Sequence, residues 1–448
     1  MTSTGPETVL TGTQRPPDRR AWAVVGLLLV FFTLNFADKS AIGLAAVPIR
    51  QDLGLTAGQF GLLGSAFFWL FALGAVGLSA LMRWISYKWA AALLMVTWIA
   101  SMLPLTVPTT FGVLLASRIA LGFFEGPAHA LCQSIVADRF PQERRAFAAS
   151  VVNAGSSVGP LLSAPLLTWV ILAYSWHAAF VVLIVVSVGW LIVWWLTVER
   201  QPLRKIRVAD VDEPPDPNGH LDVPFRRLLA LPSFWGLSLL SFAGYLITSL
   251  KVSWLPAFLT EGLGYAPSTV GWLVTVPYAS AVVVLIGSGY LSGRLLARGW
   301  TSRAARAYLS AALIIGAGLS MIAFTVVAAG TLQLTLVVLT FSVNSVAFSV
   351  AFAGASDFLP RRHRTAFFGC VIAVYSVAGI VAPYALGLIV DAAGTAGEGY
   401  AHGFLVVGVM ICVSAAIGGR LLDPEAARRT LERESSRRRA DGVAGGVS

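Results

Sequence analysis

The chain has 448 residues, of which 56% are hydrophobic and 12% charged, and a formal net charge of +10. Soluble domains carry about 25% charged residues, so an ordinary water-soluble domain is excluded. Apolar runs of about 20 residues recur along most of the length, enough for helices that cross a ~30 Å hydrocarbon core.

Residues 1–20 are polar and hold Pro6, Pro16 and Pro17, and the first apolar run is too long for a signal-peptide core. They read as a disordered cytoplasmic tail. Spans are predicted at about 21–48, 58–82, 88–106, 111–137, 146–171 and 176–198, then at about 233–259, 268–297, 304–328, 331–357, 366–391 and 401–421. Between the two sets, residues 199–232 form a polar, Pro-rich linker with Asp210, Asp212, Glu213, Pro214, Pro215, Asp216 and Pro217. The fold class is therefore all-α integral membrane, with one six-helix bundle over 21–198 and a second over 233–422. Residues 423–448 are charged without an apolar period and read as a second disordered cytoplasmic tail.

The basic residues fix an orientation. With these spans, 28 of the 32 lysines and arginines fall on one side of the membrane. The other side receives Arg50, and Lys39, Arg118 and Lys251 fall within spans. This is the positive-inside pattern, which places both termini in the cytoplasm of a multi-pass protein of the inner (cytoplasmic) membrane. The net positive charge is thus a topology signal, and nucleic acid is not an expected partner. Two six-span halves joined by a linker form the repeat layout of a secondary transporter, whose substrate site lies between the halves near the bilayer midplane.

A charged side chain at the bilayer centre costs about 2.5 kcal/mol or more on insertion scales, so each one is a candidate functional residue. Asp38 and Lys39 are adjacent in span 1 and point about 100° apart on a helix, so one faces the cavity and the other a neighbouring helix; a mutual structural ion pair is the plainer alternative. Arg118 and Glu125 are seven residues apart in span 4 and share a helix face. Glu125 lies ~21 Å along that helix, and a carboxyl in so dry a place is a plausible proton carrier. Lys251 occupies in span 7 the depth that Lys39 occupies in span 1, which suggests two cations aimed at one anion. Snorkelling of Lys251 to the interface, or pairing with Asp38, are the alternatives.

Of the many aromatics, Phe71, Tyr245, Trp254 and Tyr375 are selected as cavity-lining. Cys132, Cys370 and Cys412 lie in apolar runs, and the five histidines are scattered, so no metal site or disulfide framework is expected. His129, four residues after Glu125 on the same face, reads as a packing histidine or a proton relay. The chain offers no nucleophile, base and orienter trio and no phosphate loop, so it is not expected to be an enzyme.

Several stretches carry a resemblance. Asn35-Phe36-Ala37-Asp38-Lys39-Ser40, Ser65-Ala66-Phe67-Phe68-Trp69, Arg118 through Pro127, Tyr174 through Phe180 and Ser253-Trp254-Leu255-Pro256, in this order, resemble the anion:cation symporter branch of the major facilitator superfamily over about residues 20–422. The resemblance implies that Asp38 and Glu125 are protonation sites coupled with Arg118, and that Lys39 anchors the anion. It also places Phe71 at a cavity aromatic of span 2 and Ser156 at a polar position of span 5. The departures are informative. Lys39 stands where the branch has arginine and offers a point charge without a bidentate fork. The loop motif between spans 2 and 3 reads Arg83-Trp84 and its counterpart reads Ser292-Gly293-Arg294, both without the usual gate acid. Ser156 and Ile372 replace amides, which favours an anion more apolar than a sugar acid.

The expectation is a secondary active transporter, working as a monomer in lipid, that takes up a small organic carboxylate with protons by alternating access. The proton is the coupling ion and no other cofactor is expected. Gly155-Ser156-Ser157-Val158-Gly159-Pro160 resembles part of an antiporter motif, so proton-driven efflux is the alternative, and a membrane sensor or enzyme a remote one.

Overall fold

The computed structural model describes residues 19–82, 84–140, 142–198, 218–219, 221 and 223–444. Among the described residues, twelve helices are long and apolar enough to cross a membrane. Spans 1 to 6 are Arg19–Leu44, Ala57–Leu78, Tyr87–Thr106, Phe111–Arg139, Phe147–Ala173 and Trp176–Thr197. Spans 7 to 12 are Pro232–Ser253, Pro267–Ala297, Arg303–Val326, Thr331–Ser356, Arg362–Ala392 and Ala396–Leu421. The expected spans are all present, and among the described residues there is no strand. Most of the expected N-terminal tail, the linker residues 199–217, 220 and 222, and Arg83 of the loop motif lie outside the described residues.

Hydropathy makes the spans and local chemistry sets their ends. Thr56, Thr110, Ser175 and Thr395 precede spans 2, 4, 6 and 12, where each side-chain oxygen accepts a backbone N–H of the first helical turn. These four caps share the end of the bundle opposite the arginine-rich one, called here the basic end. Span 4 is interrupted at Gly126 and Pro127, because Pro127 lacks an N–H and its ring clashes with the carbonyl four residues earlier. Span 10 is interrupted between Ser342 and Val346 without a proline.

Small residues let the helices approach backbone to backbone. Gly155 and Gly159 of span 5 face span 1, where a Cβ on Gly155 would stand 2.8 Å from Thr33 N and one on Gly159 2.5 Å from Thr33 O. One turn further, Ser163 Oγ and Ser40 Oγ share a hydrogen bond of 3.1 Å. The glycines of the antiporter-like stretch are therefore close-packing residues.

The two halves meet closely at the capped end. A Cβ on Gly61 of span 2 would overlap the Pro383 carbonyl of span 11, and one on Gly43 of span 1 the Val252 carbonyl of span 7. Asp391 of span 11 accepts the N–H groups of Ala57 and Gly58, at 2.7 Å each, at the start of span 2. Arg50 pairs with Glu261 at 2.7 Å, and Tyr400 donates to the same carboxylate at 2.9 Å. At the basic end the ion pairs Arg306 with Asp357 (2.5 Å) and Arg303 with Asp423 (2.8 Å) each stay within the second half.

The C-terminal tail corrects an expectation. Pro424–Ala444 is a helix rather than a disordered segment. Asp423 caps it by accepting Ala426 N–H at 2.9 Å, and Glu425 accepts Ser302 N–H at 2.5 Å at the start of span 9. Ala427, Leu431 and Ser435, spaced by one turn, are buried as a single seam. That seam is too sparse to register as an apolar period. The linker also docks in part: Leu221 and Val223 are buried, and Asn218 donates to the Asp357 carbonyl at 2.9 Å.

Candidate functional site

Four of the five intramembrane charges form one cluster inside the first half. Lys39 Nζ lies 2.6 Å from Glu125 Oε2 and donates to Asn35 Oδ1, one turn back, also at 2.6 Å. Asp38 is buried beside them and interacts electrostatically with Glu125, Lys39 and Arg118. Phe67 supplies the floor, with Arg118 Cζ 5.2 Å and Lys39 Nζ 5.3 Å from its ring centroid, while Phe36 lies 4.5 Å from the same ammonium. Cations held over aromatic faces in this way recover part of their lost hydration.

The cluster is balanced but not satisfied. With both acids ionised its two negative and two positive charges cancel. Yet Asp38 Oδ1, Arg118 Nε and Nη1, and Asn35 Nδ2 are buried without hydrogen-bond partners, and neither Glu125 oxygen makes an aligned hydrogen bond. Lys39 meets Glu125 as a close charge contact rather than a directed bond. Unpaired buried polar groups are costly, so the packing around this cluster must hold it in place against that cost. Exposure separates the two partners: the Lys39 side chain is 15% exposed and that of Glu125 0%. Lys39 reaches open space, whereas Glu125 lies behind it.

Arg118 and Glu125, on one face of span 4, are thus joined by Asp38 and Lys39 in a four-group arrangement in which span 1 supplies Glu125 with its near partner. The spacing along span 4 places both residues on one face, but only packing against span 1 decides which group each one meets. Asn35 belonged to the sequence signal, lying four residues before Lys39, and its role was missed. His129 is exposed, with Nε2 3.5 Å from Gln133 Nε2, and Gln133 in turn donates to Asn153 Oδ1 at 3.2 Å.

Lys251 does not join this cluster, contrary to the expectation of two cations aimed at one site. Its ammonium turns into the second half, donating to the Phe341 carbonyl at 2.9 Å and to Asn344 Oδ1 at 2.8 Å, over the Tyr278 ring at 4.4 Å. Phe341 lies in the last turn of the first segment of span 10, which ends at Ser342, so the cation sits at a helix C-terminus, where its charge offsets the helix dipole. Asn344 then donates to Thr248 at 3.0 Å, which ties the break in span 10 to span 7. The partners were invisible in the sequence because they depend on how span 7 is rotated about its axis.

The aromatic choices divide. Tyr245 and Tyr375 are half-buried with ring centroids 4.7 Å apart, and Phe348 joins them at 6.0 and 5.1 Å. Phe68 of span 2 meets Tyr245 edge-on at 5.4 Å, and the half-buried Phe71 lies 6.4 Å from Phe68. Trp254 is not cavity-lining. It is fully buried at the capped end, where Nε1 donates to the Pro383 carbonyl at 2.9 Å and its ring meets Phe60 at 5.2 Å. Ser156 spends its hydroxyl on the Asn153 carbonyl of its own helix, at 2.8 Å.

Comparison with known proteins agrees with this architecture. Residues 27–348 match the family model described as Major Facilitator Superfamily. A hexuronate transporter of Bacillus subtilis is 26% identical over 86% of this chain and 90% of its own length. A D-galactonate transporter of Escherichia coli is 25% identical over 65% of this chain and 71% of its own. A bacterial homologue of the human lysosomal transporter Spinster, solved in an inward-facing and occupied conformation, superposes with a TM-score of 0.76 at 18% identity, covering 92% of this chain and 98% of that one. With twelve spans in two halves and a family match over most of its length, the chain belongs to the Major Facilitator Superfamily and is a membrane transporter, not an enzyme.

Proposed function

We propose that this protein is a proton-coupled importer of a small organic carboxylate, acting as a monomer by alternating access between its halves. The observation that carries the reading is the buried cluster of Asp38, Lys39, Arg118 and Glu125, in which the half-reachable cation Lys39 is held by an unreachable carboxylate. Asp38 and Glu125 are the protonation sites, Arg118 holds their charges, and Lys39 anchors the substrate. Phe71, Tyr245 and Tyr375 line the space above it. Relatives named for hexuronate and D-galactonate support an organic anion as cargo.

The charge balance supplies the coupling. In the empty carrier Glu125 neutralises Lys39. A proton arriving at Glu125 removes that counter-charge and leaves the cluster one charge positive. The substrate carboxylate then restores neutrality by taking the place of Glu125 on Lys39. An anion and a proton therefore load together, and losing the proton returns Glu125 to Lys39 and expels the anion. Assigning the basic end to the cytoplasm makes the conformation with a latched capped end inward-facing. Efflux gains nothing from the Gly155 and Gly159 stretch, whose glycines are used in packing against span 1.

The test is uptake into proteoliposomes across a panel of carboxylates, with and without an imposed inward proton gradient. Accumulation should follow the gradient and vanish with a protonophore. Uptake that survives the protonophore and requires sodium would overturn the assignment of the coupling ion.

A further inference from the structure

We infer that the basic end carries a second anion site, separate from the Lys39 cluster and built for a doubly charged phosphate group. A cavity of about 610 Å³ opens there, walled by Arg306 of span 9, Asp357 after span 10, Arg364 of span 11, Asn218 of the linker and Arg428 of the C-terminal helix. Three guanidiniums share these walls with one carboxylate, which leaves two positive charges in excess. The carboxylate is already engaged, because Asp357 meets Arg306 Nη1 at 2.5 Å and accepts the Ser302 hydroxyl at 2.5 Å. Arg364 is half-buried and forms no ion pair among the described residues; its Nε and Nη2 donate to the carbonyls of Leu359 at 3.3 Å and Ser356 at 2.9 Å. Arg428 pairs with Glu432 at 2.9 Å, but both side chains are largely exposed (48% and 42%), and such pairs hold a charge weakly. The excess charge thus belongs to Arg364 and Arg428.

Charge and shape both select phosphate. A phosphate monoester carries about −1.5 to −2 charge at pH 7, so it balances the two excess cations, where a carboxylate would balance one. A guanidinium offers paired N–H donors that match two phosphate oxygens, so Arg364 and Arg428 can each grip the group from its own side. The same chemistry comes from the headgroup of an anionic lipid in the cytoplasmic leaflet or from a soluble phosphate ester. Arg364 lies in the first turn of span 11, and Arg428 follows Ala427 of the buried seam on the C-terminal helix. A bound phosphate therefore ties that helix to the bundle and adds a polar clamp to its sparse apolar contact.

The test has two arms on the full-length protein. In one, protein in phosphatidylcholine nanodiscs is titrated with inorganic phosphate and glycerol 3-phosphate. In the other, native mass spectrometry counts the phosphatidate carried out of mixed nanodiscs. Saturable binding in the soluble arm identifies a free phosphate ester, and binding in the lipid arm alone identifies a headgroup; either supports the site. Arg364→Gln and Arg428→Gln should each weaken binding roughly tenfold, the loss of one charge-assisted contact. Arg428→Lys, which keeps the charge, should recover part of it. Lys39→Ala should still bind, which separates this site from the substrate anchor. So should Arg298→Gln, which removes an exposed arginine of the same end outside the cavity. No binding in either arm overturns the proposal. Loss of all binding in Lys39→Ala, or a loss in Arg298→Gln equal to that in Arg428→Gln, overturns it too, since the phosphate then sits on the substrate anchor or on diffuse surface charge. Should Arg364→Gln not fold, the exposed Arg428 and its two variants still decide.

Discussion

Lys39 of span 1 and Glu125 of span 4 meet at 2.6 Å, with the lysine reachable and the glutamate sealed behind it. On the proposed reading the contact makes protonation the switch for anion binding, because Lys39 cannot be paired fully with Glu125 and with a substrate at the same time. Glu125→Gln should accordingly free Lys39 permanently. Proton-driven accumulation should be lost, while exchange of labelled for unlabelled substrate persists and binding loses its dependence on pH. Equal loss of exchange and accumulation would make Glu125 a structural residue.

Removing the cation itself should act on binding. Lys39→Ala deletes a charge-assisted contact of about 1.5–3 kcal/mol, so the Kd for the carboxylate should rise roughly 10- to 150-fold. Lys39→Arg should retain partial transport, since the charge is kept but its shape changes. Calorimetric titration of both variants checks this; an unchanged Kd for Lys39→Ala would remove Lys39 from the site.

Lys251 should separate cleanly from Lys39. Its ammonium joins the Phe341 carbonyl and Asn344 across the break in span 10, so Lys251→Met leaves buried acceptors unpaired. The expected result is a loss of about 1–3 kcal/mol in stability with substrate affinity unchanged. Thermal unfolding and binding, measured on the same preparation, decide. A folded variant with weakened carboxylate binding would return Lys251 to the substrate site.

The capped end should open when its close contacts are blocked. A side chain at Gly61 would overlap the Pro383 carbonyl, so Gly61→Val should hold the halves apart at that end and stop transport. Arg50→Ala, which removes the ion-pair partner of Glu261 and leaves it the Tyr400 hydroxyl, should have a milder effect in the same direction. A cysteine placed at the buried Ser253, in a background lacking Cys132, Cys370 and Cys412, would report it. Thiol labelling should be faster in both variants than in the parent; unchanged labelling would show that these contacts do not govern closure.

The C-terminal helix is held by few apolar atoms. Leu431 is fully buried in its seam, so Leu431→Asp should release the helix and speed tryptic cleavage at Arg428 and Arg429. Cleavage at the parent rate would mean that the seam contributes little.

The sequence by itself determined the twelve spans, the two halves, the end that carries the arginines and the identity of the five intramembrane charges. These are local properties: about twenty apolar residues suffice to cross the hydrocarbon core, and a charge among them stands out wherever its partner lies. Only the tertiary structure decided who meets whom. Lys39 and Lys251 looked equivalent by depth, yet one reaches Glu125 across the first half and the other closes a broken helix in the second. Depth follows from counting residues at 1.5 Å each, whereas direction depends on the rotation of each helix about its axis, which is fixed by packing against neighbours distant in sequence. The same holds for Trp254, drawn into the capped end by the Pro383 carbonyl, and for the tail helix, whose seam of Ala427 and Leu431 has meaning only beside the surface it covers.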